Sequence, residues 1–248
     1  MIGVWFTYGV VDALRRRRLL LAYLVGLGAL IVSGLALTGR LIEAPLGQQL
    51  VLLTRNLQSL AYFPLSLVLG FFFGMDAAGE ATGTPWLFFG ATRASGRFTY
   101  LFGRLLAALV LALTALLFLS LTAGIVLWAA TGSFYALILD AVLLLFPGLL
   151  FMTSLGYFLR LHLSVPTATG VGLVVVGVSF GLPLLWDPLY YALPALLPLF
   201  ADHTAMADFH AVTRYPFELV QLAGWSAALV LFAHFRLGRL WFDDPFGG

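Results

Sequence analysis

Leu105 to Thr131 reads LLAALVLALTALLFLSLTAGIVLWAAT, with no charged side chain along its length. A bilayer core needs about 20 mostly apolar residues in a helix, so this run is long enough to cross at a tilt. Similar runs lie on both sides of it: Leu19 to Thr38, Leu57 to Gly74, Ala136 to Leu159, Leu163 to Leu185 and Leu219 to Phe235. Arg40, Asp76 and Arg236 close the first, second and last of these, and Asp140 is the single acid inside any of them. The reading is an all-α polytopic membrane protein with six transmembrane helices in one domain, residues 1–248.

Composition agrees. The chain is 62% hydrophobic and 10% charged, against about 45–50% and about 25% in soluble domains. So few charges could not cover a soluble core of this size, which excludes soluble enzymes, nucleic-acid-binding modules and secreted disulfide scaffolds. All 13 basic residues are Arg. A P-loop uses a Lys on the nucleotide phosphates, so ATP-driven work would need a separate subunit. With no Cys there is neither a disulfide nor a thiolate metal site.

With six spans both termini share a side. That side receives Arg15 to Arg18, Arg93, Arg97, Arg104, Arg160, Arg236 and Arg239, and the other receives Arg40, Arg55 and Arg214. The positive-inside rule puts the richer side, and both termini, in the cytoplasm. Residues 1–18 read as an interfacial helix, with Val4, Trp5, Tyr8, Val11 and Leu14 on one face and the Arg cluster as a stop.

Two connections are long, one cytoplasmic (75–104) and one external (186–217). The external one is too apolar for a solvated loop, and Pro183, Pro188, Pro194 and Pro198 forbid a continuous span there. Leu189 to Phe200 reads as a short re-entrant or interfacial element between helices five and six. In the cytoplasmic loop, Thr84-Pro85 suits a helix start, with Thr as cap and Pro in the first turn. Trp86, Leu87, Phe88 and Phe89 then form an apolar cluster that would anchor to lipid or dock into a partner's groove.

The order Glu80, Gly83, Thr84, Leu87, Thr92, Ser95, Gly103, Arg104 in this loop resembles the cytoplasmic segment between spans two and three in the permeases of type-2 ATP-binding-cassette (ABC) exporters. Arg93 stands where that family carries Pro, Gly96 separates Ser95 from Arg97, and Arg104 replaces Lys. The resemblance implies a coupling helix within residues 80–97 that seats in a cleft of a separate ATPase subunit, with Glu80, Gly83, Thr84, Trp86, Leu87, Phe88, Arg93, Ser95 and Arg97 at the contact. It also implies a second permease copy or sister chain, no cofactor on this chain, ATP and Mg in the partner, and an exporter in a bacterial or archaeal inner membrane. No catalytic or metal-ligating residue is expected.

Several motifs carry alternatives. Gly70-x-x-x-Gly74 and Gly177-x-x-x-Gly181 allow close helix approach in lipid, at a dimer face or within the chain. Gly177-Val-Ser-Phe-Gly181 also has the form of a nucleophile elbow; an intramembrane hydrolase would need Ser179 beside His234, which their depths oppose. Asp202, His203, Asp208 and His210 are chemically fit for a divalent metal, but their spacing matches no motif and reads as a hydrated acidic loop. A carrier or channel independent of ATP would want ionisable groups at mid-membrane, and the runs hold none there.

Overall fold

The computed structural model describes residues 2–41, 63–79, 94–131, 137–185 and 210–242, and all secondary structure among them is helical. In chain order the helices are α1 (Ile2–Arg15), α2 (Arg18–Leu41), α3 (Phe63–Gly79), α4 (Ala94–Thr131), α5 (Leu137–His162), α6 (Val165–Leu185) and α7 (His210–Phe242). Within them, Phe98–Val126 and Leu219–Leu237 are long and apolar enough to cross a membrane. The apolar stretches Arg18–Val32, Phe63–Gly79 and Val165–Ser179 are shorter.

Several boundaries differ from the sequence reading. Residues 75–79, expected at the start of the cytoplasmic loop, are the last turn of α3. Residues 94–104, expected at the end of the cytoplasmic loop, are the first turns of α4. They are helical because they have a surface to pack on: Tyr100 and Leu101 are buried, and Trp5 of α1 meets the Tyr100 ring edge-on at 4.9 Å. Residues 210–217, expected in the external loop, begin α7. The proposed re-entrant element, Leu189 to Phe200, lies outside the described residues.

The core is built on α3 and α5, the most extensively packed pair, with α4 and α7 against them. Small residues set the approach. A methyl group on Gly70 would stand 2.9 Å from the Leu149 carbonyl oxygen of α5; one on Gly74 would collide with the Thr153 carbonyl, and one on Gly156 with that of Phe71. Three glycines thus let two helix backbones touch, the geometry by which apolar helices associate without a hydrophobic driving force. Phe71 then turns its ring onto Gly172 of α6.

Three polar side chains in this core bond to their own helices. Ser66 donates to the Phe63 carbonyl, Thr153 to Leu149, and Ser226 to Leu222, each at 2.7 Å. Such back-bonding satisfies a hydroxyl where no water reaches it. The outside is apolar instead. Leu21 and Val32 of α2, Phe72 of α3, Val126 of α4, Leu173 of α6 and Val220 and Phe232 of α7 are all more than half exposed.

α1 packs along the start of α4 in register, Trp5 at Tyr100 and Gly9 at Ala107. Its small residues Gly9 and Ala13 face the bundle, while Val4, Tyr8, Val11 and Leu14 are exposed. Arg17, with φ of 55°, turns the chain into α2, and its amide bonds the Leu14 carbonyl at 3.0 Å. This is the left-handed helix stop usually given to Gly.

Candidate functional site

The last turn of α3, Asp76 to Gly79, collects three arginines from three other helices. Arg18, at the start of α2, forms an ion pair with Asp76 and reaches Asp12 of α1 at 3.7 Å. Asp12 also holds Arg16 at 3.0 Å. Arg104 of α4, only 3% exposed, donates from Nε to the Ala77 carbonyl at 3.5 Å, and its guanidinium lies 5.4 Å from the Tyr8 ring centroid. Arg160, near the end of α5, brings its Nε to 3.7 Å from where a side chain on Gly79 would begin. It also caps the α5–α6 corner by donating to the Leu163 carbonyl at 3.0 Å.

The electrostatic reason is the helix end itself. The final carbonyls of α3 have no partner within the helix and carry the negative pole of its dipole. Asp76 adds a full charge. Positive charge is stabilised there: Arg18 and Arg104 dock α2 and α4 onto that turn, and Arg160 of α5 lies beside it.

Glycine completes the arrangement. A methyl on Gly103 would stand 2.7 Å from the Trp5 Cβ and 3.0 Å from the Ile2 carbonyl oxygen. The pair Gly103-Arg104 therefore has two tasks at successive positions: Gly103 admits α1, and Arg104 ties α1 and α4 to the end of α3.

This turn leads directly into the candidate coupling segment. Glu80, Gly83, Thr84, Trp86, Leu87, Phe88 and Arg93 lie outside the described residues, and Ser95 and Arg97 stand at the start of α4. The arginine-bound turn and the first turns of α4 are thus the two roots of the segment 80–93. The sequence reading uses Asp76 to close a span and Arg18 and Arg160 to orient the spans, and joins none of them. The available signal was an acid at the end of one apolar run and an unbroken Arg cluster at the start of another.

The remaining candidates fall elsewhere. Gly70 and Gly74 face α5 within this chain, whereas Gly177 on α6 meets nothing within 4 Å and Gly181 lies further along the same helix. Ser179 is buried, but it sits fourteen residues beyond Val165, about 21 Å along α6. His234 contacts Phe98 near the start of α4, and Arg236 beside it shares a cavity with His162. Ser179 and His234 are therefore not brought together as a catalytic pair. Among the described residues no group of three or more His, Cys, Asp or Glu is placed to hold a metal. Asp202, His203 and Asp208 lie outside those residues.

No protein-family profile, curated protein or solved structure matches this chain.

The Arg18–Asp76 pair is testable alone. Both side chains are about a quarter to a third exposed, so Asp76→Asn should cost only about 0.5–1 kcal/mol. The charge swap Asp76→Arg with Arg18→Asp should recover part of what either single change loses. Thermal unfolding of the four proteins in one detergent measures the coupling, and zero coupling would remove the pair from the site.

Proposed function

We propose that this chain is the membrane-spanning subunit of an ABC-type exporter. In this reading it has six spans with both termini in the cytoplasm of a bacterial or archaeal inner membrane. It pairs with a second copy or a sister chain, and each copy seats one ATPase subunit. Substrate moves by alternating access, driven by ATP hydrolysis in the partner.

The observation that carries the reading is the arginine-bound turn at the end of α3. A lever needs a fixed root. Force applied to the segment 80–93 would pass into α3 at a turn that Arg18 and Arg104 tie to α2 and α4, with Arg160 of α5 beside it. A bistable bundle responds to such a push as rigid helices rather than by local bending. The exposed apolar side chains around the helices support a lipid surrounding. The absence of Lys supports a separate nucleotide-binding subunit.

The decisive experiment is a mild-detergent pull-down of the tagged chain from its own cells, followed by mass spectrometry. A subunit carrying a P-loop should copurify, and replacing Glu80 together with Trp86, Leu87, Phe88 and Phe89 should remove it. Recovery of the chain without any ATPase, across detergents that keep it folded, would overturn the proposal.

A further inference from the structure

Between the last turns of α5 and α7 lies a cavity of about 400 Å³, lined by Phe158, His162, Phe232, Phe235 and Arg236. Its chemistry is divided. Phe232 and Phe235 are 63% and 65% exposed and form an open apolar wall. Against that wall stands Arg236, whose Nε is buried without a hydrogen-bond partner among the described residues. His162 lines the same space, and its Nδ1 donates to the Phe158 carbonyl at 2.8 Å.

We propose that this cavity binds one anionic phospholipid, with its phosphate on Arg236 and the start of its acyl chains against Phe158, Phe232 and Phe235. The inference rests on the membrane reading above but not on the ABC assignment. Charge complementarity selects the occupant. The Arg236 guanidinium lines the cavity, and a phosphate oxygen there would accept a charge-assisted bond from it. The acids Asp12 and Asp76 are engaged by Arg16 and Arg18. A free phosphate would satisfy the cation but leave three aromatic rings uncovered, whereas a lipid covers both. Basic pockets between helix ends are where anionic headgroups bind membrane proteins, and the neighbouring Arg18, Arg104 and Arg160 mark these ends as the cationic end of the bundle.

The test is thermal unfolding of the delipidated chain in a neutral detergent, with phosphatidylglycerol, phosphatidylcholine or soluble glycerol phosphate added. Phosphatidylglycerol should raise the midpoint by about 5 °C at a hundredfold excess over its dissociation constant, and the other two should raise it by far less. Arg236→Gln should abolish the difference between the two lipids, and Arg17→Gln, a cation at another corner, should keep it. Equal shifts from the two lipids would overturn the inference, as would an equal shift from glycerol phosphate or a full response in Arg236→Gln. The comparison of additives on the unaltered chain decides the matter even if that variant fails to fold. Failure of the membrane reading would look different: the chain would stay in solution after ultracentrifugation without detergent.

Discussion

Alanine at Gly74 is expected to drive α3 and α5 apart. The added methyl would meet the Thr153 carbonyl group, which is backbone and cannot rotate away. Overpacking a core costs about 1–3 kcal/mol when side chains can yield, and a main-chain obstacle belongs at the upper end, about 3 kcal/mol. For a chain of this size that is a fall of roughly 6–12 °C in the unfolding midpoint. Gly156→Ala should match it, because the obstacle there is the Phe71 carbonyl on the opposite face of the same contact. Gly177→Ala is the control: nothing lies within 4 Å, and Ala is the better helix former by about 1 kcal/mol. Thermal unfolding of the three variants in one detergent separates them. If Gly74→Ala unfolds with Gly177→Ala, the close α3–α5 contact is wrong.

Replacing Arg104 should come next in effect. Its side chain bonds the Ala77 carbonyl and lies over Tyr8, so one residue joins α1, α3 and α4. A hydrogen bond involving a charged group is worth about 1.5–3 kcal/mol, and a cation–π contact to a half-exposed ring about 0.5–1 kcal/mol. Arg104→Ala should therefore lose about 2–3 kcal/mol. Arg104→Lys should fall between, since it keeps the charge but not the planar group that stacks on an aromatic face. Limited trypsin digestion gives a second readout. With the clasp gone, α1 should detach and the Arg15 to Arg18 cluster should be cut faster than in the parent. Unchanged stability and unchanged cleavage in Arg104→Ala would show that the clasp holds nothing.

These two sites show what a sequence discloses and what it withholds. The helices were legible because each apolar run is longer than a soluble core requires; the described part of each run is helical except Leu163 and Ser164, which form the corner before α6. Their ends were less legible. Residues 94–104 contain Gly96, Arg97, Gly103 and Arg104, which read locally as loop punctuation; only contact with α1 turns Gly103 into an admission site and Arg104 into a buried tie. Gly70-x-x-x-Gly74 correctly announced a close helix approach, but such a motif describes one face and not its partner. The partner, Gly156, carries no motif that would have singled it out. The candidate site was harder still. Pairing Asp76 with Arg18 spans nearly sixty residues, and the meeting of three arginines at one helix end is a property of the packed bundle rather than of any local pattern.

The contact of α1 with α4 also sets an order of events during synthesis. Trp5 must wait for Tyr100, about 95 residues later, before its ring has a neighbour. At about 5–20 residues per second that interval is roughly 5–20 s. Throughout it α2 and α3 are made while the N-terminal helix still lacks its docking surface. α1 is thus made well before its docking surface, yet it can dock before α5, α6 and α7 exist, so a change at Trp5 would be felt midway through assembly.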